Sequence, residues 1–237
     1  MKIVNVYGPP QSGKTVVIKT MVDKIVNDLG LRILVLNNAL TDGDEGAYSL
    51  PSGESSDVDA IRPFMVSGLI TQSLLENVII KVSPNIGVVR GSKLSVVEDE
   101  QVFTIVDLVK DYDLIMIESR NPLRSKETEI TNIELIPPVE STMKRVIRDL
   151  DGNTLYVMNR YDHDVLRFKP KKFNAVMIPT TVEMNMVING FRYELEREVS
   201  EAVDQLVDYI DGLDGIAVDP NIVENKSFLS KVRALTR

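Results

Sequence analysis

Residues Gly8-Pro9-Pro10-Gln11-Ser12-Gly13-Lys14-Thr15 fit the pattern G-x-x-x-x-G-K-[ST]. Ahead of them, Lys2 to Tyr7 is a short apolar run that stops abruptly at Gly8. Behind them, Val17, Ile18, Met21, Val22, Ile25, Val26 and Leu29 recur at helical spacing. Strand, glycine-bearing turn and helix in that order are the setting in which the pattern has a physical meaning. The glycines let the backbone wrap an anion with its N–H groups turned inward. The helix presents its positive N-terminal end to the same anion. The Lys14 ammonium can reach the β- and γ-phosphates as a point charge, and the Thr15 hydroxyl can ligate Mg²⁺. The spacing therefore predicts that Gly8, Pro9, Pro10, Gln11, Ser12, Gly13, Lys14, Thr15 and Val16 surround a nucleotide. In that reading Lys14 also serves catalysis and Thr15 the metal.

The rest of the chain repeats the alternation. Gly30 reads as a helix stop and Leu31 to Leu36 as a buried strand, which completes one βαβ crossover. Asn37 to Asp57 is polar and long for a plain connection, a type of segment that is usually functional. Helical patterning over Asp59 to Lys81 is interrupted by Pro63. A strand over Asn85 to Arg90, a helix over Glu98 to Asp111 and a strand over Leu114 to Ile117 follow. Strands at Ile133 to Ile136 and Thr154 to Met158 bracket a helix at Ser141 to Leu150. Ala175 to Ile178 reads as the last strand, and an acidic helix runs from Arg192 to about Ile210. Several strands are continuously apolar, which marks a largely parallel sheet covered on both faces. The expected class is α/β, a three-layer α/β/α domain of the P-loop type spanning residues 1–237.

Composition narrows the chemistry. There is no cysteine, which removes disulfides, zinc-thiolate sites and thiol nucleophiles together. A single histidine, His163, leaves no His-based triad and no multi-histidine metal site. With 27 basic and 35 acidic residues the net charge is −8, which does not support a broadly basic DNA-binding surface and leaves room only for a local patch. With no signal peptide and no stretch of the ~18 apolar residues that a membrane span requires, a cytoplasmic setting is expected.

Four segments taken together resemble the ParA/MinD family of P-loop ATPases, over most of the chain to about Ile210. They are the loop at the N-terminus, Tyr112-Asp113-Leu114-Ile115-Met116-Ile117-Glu118, Val157-Met158-Asn159-Arg160, and Ile178-Pro179-Thr180-Thr181 ahead of a helix. The resemblance implies ATP and Mg²⁺ as cofactors, with Glu118 beside the magnesium site. It also implies that Asn159, Arg160, Pro179 and Thr181 lie near the adenine. Three positions depart from the family's pattern. Pro9 stands where the signature lysine reaches a partner's nucleotide. Asn37-Asn38-Ala39 stands where a D-x-D places an acid near the attacking water. Glu118 stands for the magnesium-site aspartate. In these departures the chain is similar to atypical members such as the CpaE/TadZ proteins of pilus assembly systems, which implies slow hydrolysis or none. Asp42, with Asp44 and Glu45 beside it in the loop after the second strand, is the candidate to orient water in place of an acid at 37; the plainer reading of all three is a solvated acidic turn.

Asn159-Arg160-Tyr161-Asp162 also resembles the guanine-reading N-K-x-D of GTPases, with Arg in place of Lys and no D-x-x-G after the Leu114 to Ile117 strand. Adenine is the expected base. In the C-terminal segment, residues 221–237, Phe228, Leu229, Val232 and Leu235 share one helical face among Lys226, Lys231, Arg233 and Arg237. Residues 225–237 could lie on an anionic membrane surface, or pack on the domain or on a partner. The expected function is an ATP-binding homodimerisation switch that positions or assembles a cellular, plasmid, secretion or pilus system. A GTPase-like or small-molecule kinase-like enzyme and a scaffold with a vestigial site are the alternatives.

Overall fold

The computed structural model describes residues 1–37, 48, 57–91, 97–139, 145, 154–161, 175–179 and 195–211. Eight strands form one sheet in the order β3-β4-β2-β5-β1-β6-β7-β8. They are β1 (Lys2–Tyr7), β2 (Ile33–Asn37), β3 (Ile80–Ser83), β4 (Ile86–Val89), β5 (Leu114–Ser119), β6 (Thr131–Ile136), β7 (Thr154–Tyr161) and β8 (Ala175–Pro179). All neighbouring pairs are parallel except β3 with β4. The described helices are α1 (Lys14–Leu29), α2 (Arg62–Val66), α3 (Gln72–Glu76), α4 (Asp99–Leu108) and α5 (Arg197–Asp211).

The period-two alternation of each strand divides its apolar residues between two cores. Val4, Val6, Val35, Met116, Ile133 and Val157 face α1 and α5, where they meet Val17, Ile18, Met21, Val203 and Leu206. Ile3, Leu34, Leu36, Ile115 and Ile117 face the other way, onto Leu75 and onto Val102, Ile105 and Val106 of α4. Each such buried side chain contributes about 1.5–3 kcal/mol relative to exposure. Because both faces are covered, the strands read as unbroken apolar runs, and the expected three-layer α/β/α class is what forms.

Topology then places the site. From β1 the chain crosses through α1 to β2 on one side, whereas β6 joins β1 on its other side. Such a reversal opens a crevice outside the carboxyl ends of the strands, where ligands of α/β sheets bind. The turn that follows β1 sits at that reversal.

Two expectations about elements need correction. The helix read over Asp59 to Lys81 is a 3-10 turn at Val58–Ala60, two five-residue helices, and the edge strand β3. Pro63 starts a short helix at its first turn, and the left-handed Gly68 (φ 69°) ends it. Ile79 and Ile80 fitted a helical face equally well, and only pairing with β4 decides for strand. The helix read over Glu98 to Asp111 ends at Leu108, because Val109 turns to extended backbone ahead of β5. The helix expected at Ser141 to Leu150, apart from Arg145, and the segment 221–237 lie outside the described residues. No described helix is long and apolar enough to cross a membrane.

Candidate functional site

The loop after β1 is shaped by two glycines. At Gly8, φ is 152°, and a Cβ would stand 2.6 Å from the Leu135 carbonyl oxygen of β6. At Gly13, φ is 87°, and a Cβ would collide with the Asn159 carboxamide of β7. Both positions combine positive φ with a contact that no side chain fits. Between them the Ser12 N–H donates to the Pro9 carbonyl at 3.3 Å, and Gln11 adopts φ 61°. Pro9, Pro10 and Gln11 are exposed at the tip, whereas Ser12 is buried.

Gly13 is the N-cap of α1 and supplies no side-chain cap, so the first turn of the helix opens toward the loop. Lys14 is 5% exposed, and its ammonium donates to the carbonyls of Gly8 at 3.1 Å and Pro9 at 3.0 Å. The cation is thus already arched over the loop. The Ser12 hydroxyl is buried without a hydrogen-bond partner among the described residues. A buried orphan donor at this position fits an anion seated in the loop.

At the second residue of α1, the Thr15 hydroxyl donates to Glu118 Oε1 at 2.8 Å. Glu118 is 1% exposed and lies at the end of β5, in register with Val6 on one side and Asn37 on the other. By strand alternation Asn37 and Glu118 point to the α1 face, the face on which Thr15 stands. Three sequence-read positions, Thr15, Asn37 and Glu118, are thereby brought together at one edge of the loop. No group of three or more metal-ligating side chains is gathered among the described residues. A hydroxyl with one carboxylate is the protein share that Mg²⁺ takes when phosphate oxygens and waters complete its shell, so this pair fits that ion.

The far end of the loop is held from β7. The Asn159 carboxamide, 4% exposed, donates to the Ser12 carbonyl at 2.8 Å. Arg160 next to it has φ 60° and is exposed, at an irregularity in the β7–β8 register between Asn159 and Tyr161. That left-handed residue turns Arg160 outward while Asn159 stays aimed at the loop. Pro179 closes β8 opposite Tyr161. Val16 is buried and packs in the α1 core, so only its backbone belongs to the site. Asp42 and Thr181 lie outside the described residues.

Several residues of this region carry no sequence signal. Tyr7 precedes Gly8, and its phenol donates to Glu134 Oε2 at 2.9 Å. Burial, then the neighbouring Glu134 charge, raises the Tyr7 phenol well above its ordinary value. Asn5, fully buried within β1, donates to the Asn132 side-chain oxygen at 2.8 Å and accepts from the Ser119 hydroxyl at 2.7 Å. Asn132 in turn holds the Leu123 N–H and carbonyl, which pins the chain that follows Glu118. Tyr48 is buried against α1, with its hydroxyl on Asp23 and Lys19 over its ring. A polar residue inside an apolar strand, as in Asn5 and Glu134, is the only hint the sequence offers for such pairs. A separate cleft of about 270 Å³, lined by Arg32, Leu75, Lys81 and Tyr112, lies at the opposite ends of the strands, away from Lys14.

No family model and no curated protein matches the sequence. Solved structures do match. A ParA family ATPase from Chlorobium tepidum is 14% identical, with 90% of this chain and 99% of that one covered and a TM-score of 0.63. MinD in the MinC:MinD cell division complex of Aquifex aeolicus is 15% identical, with 92% and 98% covered and a TM-score of 0.67. The septum site-determining protein MinD of Pyrococcus horikoshii, complexed with Mg-ADP, is 19% identical, with 92% and 99% covered and a TM-score of 0.55. The glycine-bearing loop at the reversal of a mostly parallel sheet is thus set in a fold that nearly the whole chain shares with these proteins, and the chain has the ParA/MinD fold.

Proposed function

We propose that this protein binds ATP with Mg²⁺ on the Gly8–Thr15 loop and uses the nucleotide as a switch for self-association rather than as a rapidly consumed fuel. The observation that carries the reading is the convergence of Lys14, Thr15 and Glu118 on one loop. The lysine already curls over the loop's carbonyls, and the hydroxyl is already paired with a buried acid. A scaffold with no ligand would gain nothing from burying a lysine and a glutamate at a strand end, since buried charges cost several kcal/mol unless matched.

The division of labour follows from the residues. Backbone N–H groups of the loop and the first turn of α1 receive the phosphates. Lys14 neutralises their charge, and the Ser12 hydroxyl has a hydrogen bond to give. Thr15 and Glu118 would hold Mg²⁺, which supplies further charge neutralisation on the phosphates. Asn159 keeps the loop's second half in place. Hydrolysis additionally needs a group that orients water. At Asn37 that group is a carboxamide, which carries no negative charge. Loss of a general-base or water-orienting group costs about 10²–10⁴ in rate. Pro9 offers no cation at the loop tip. These features support a long-lived ATP-bound state with slow turnover, in which two copies meet over the nucleotides. The fold is shared with a cell-division and a ParA family ATPase, which supports a role in positioning or assembly.

The test is nucleotide retained on or added to the purified protein, identified by mass, with the oligomeric state measured by light scattering with and without Mg-ATP. ATP bound at near-stoichiometric level together with a doubling of mass supports the reading. A protein that stays the same size with ATP bound removes the switch and leaves the binding.

A further inference from the structure

Two consecutive residues of β6 hold the two consecutive residues that launch the phosphate loop. Tyr7 and Glu134 are register partners, and the Tyr7 phenol donates to Glu134 Oε2 at 2.9 Å. The next carbonyl, that of Leu135, stands against Gly8 so closely that a Cβ there would be 2.6 Å away. The other Glu134 oxygen, Oε1, accepts from Arg145 Nη2 at 2.8 Å. Both oxygens of a nearly buried carboxylate are therefore committed, one to the residue before the loop and one to an arginine whose side chain is 53% exposed. An apolar pair at positions 7 and 134 would fill the same space without burying a charge. The charge therefore earns its place by fixing direction, because a hydrogen bond to a carboxylate is shorter and more oriented than an apolar contact.

We propose that Glu134 is a positioning residue for the phosphate loop: with Arg145 behind it, it fixes the Tyr7 side chain and so the Tyr7–Gly8 peptide from which the loop turns. The inference rests on the nucleotide-binding reading above. It extends that reading to residues outside the loop and outside the metal pair. Asn159 restrains the loop's end and Glu134 its beginning, so the cradle is set before an anion arrives. A preset cradle binds more tightly because less ordering is left to do on binding.

The test uses the full chain and three variants, Arg145→Met, Arg145→Lys and Glu134→Gln. Calorimetric titration with Mg-ATP should show affinity weakened by about 2- to 10-fold in Arg145→Met and Glu134→Gln, the scale of one hydrogen bond, and retained within 2-fold or so in Arg145→Lys. The second arm needs no nucleotide. Amide hydrogen exchange at Gly8, Gln11, Ser12 and Gly13 should be faster in Arg145→Met than in the parent, with Arg145→Lys restoring protection. The half-exposed Arg145 permits these changes without threatening the core, and an unchanged urea midpoint in Arg145→Met separates positioning from general loosening. Unchanged exchange in Arg145→Met overturns the inference whether or not ATP binds. If the parent binds ATP and Arg145→Met and Glu134→Gln bind it equally well, the inference fails while the nucleotide reading stands. If exchange responds as stated but the parent binds no ATP, the positioning holds and the nucleotide reading fails.

Discussion

The side-chain amide of Asn159 and the main-chain carbonyl of Ser12 are joined by a 2.8 Å hydrogen bond, which ties the end of β7 to the phosphate loop one residue before the N-cap of α1. The same amide stands where any Cβ on Gly13 would have to go. The resemblance to ParA/MinD proteins places Asn159 by the base. In this structure its amide braces the loop, so a single residue joins the loop to the strand whose end faces it.

Removal of that brace is the first expected effect. Asn159→Ala leaves the Ser12 carbonyl without this donor and opens a small void, so unfolding free energy should fall by about 1–3 kcal/mol. Urea denaturation of the nucleotide-free protein measures it. Gly13→Ala should be costlier, since it combines a positive φ with a collision. If Asn159→Ala denatures at the parent's midpoint, the bond does not restrain the loop.

A second expectation concerns Asn37. It is the cross-strand neighbour of the buried Glu118, at the ~4.8 Å spacing of adjacent strands. Asn37→Asp places a second carboxylate there, and like charges that close disfavour each other. The variant should melt below the parent without ligand and recover most of that loss with Mg-ATP. It should also turn ATP over faster, because the new acid can orient water. Brisk turnover in the parent that ignores Asn37→Asp would assign the role elsewhere, with Asp42 the first residue to examine.

Alkaline pH gives a third. Burial raises the phenols of Tyr7, Tyr112 and Tyr209 above the ordinary value of 10.0, and the Glu134 charge adds to the effect at Tyr7. A group raised in the folded state contributes its full stability below the unfolded value and loses it as pH climbs through the folded one. Stability should therefore hold up to about pH 10 and decline above it. Spectrophotometric titration should show a late class among the seven tyrosines. Tyr7→Phe should remove one member of that class and flatten the decline. Simultaneous titration of all seven near pH 10 would contradict the burial of Tyr7.

How far the sequence carries depends on the range of the interaction. The loop, α1 and the strands β1, β2 and β5 are legible because each rests on local spacing: a glycine pattern, a 3.6-residue period, an unbroken apolar run. Glu118 and Asn37 could be named only through the resemblance, as the positions where that family carries acids after apolar strands. β3 was not legible. Its four residues suit a helical face as well as a strand, and the deciding hydrogen bonds come from β4. The Tyr7–Glu134 pair and the Asn5–Ser119–Asn132 network join residues more than 110 positions apart, and no spacing rule reaches that far. Asn159 was legible as a site residue through resemblance, but its partner Ser12 was not.

The segment 225–237 supplies a fourth expectation. Removing it should leave ATP affinity unchanged and weaken attachment to anionic vesicles, which its basic and apolar residues would favour. Co-sedimentation with and without Mg-ATP decides it. If the intact protein never sediments, the membrane role is lost.

Binding of the ATP phosphates by the Gly8–Thr15 loop underlies the proposed switch. Calorimetric titration of Mg-ATP into the parent and into Lys14→Ala tests it most directly. Charge-assisted contacts are worth about 1.5–3 kcal/mol each, or roughly 10- to 100-fold in affinity. One ATP should bind each parent chain saturably, and Lys14→Ala should weaken that binding by at least that factor or abolish it while remaining folded by circular dichroism. Equal affinity in the parent and in Lys14→Ala, or no heat of binding in the parent, would contradict it.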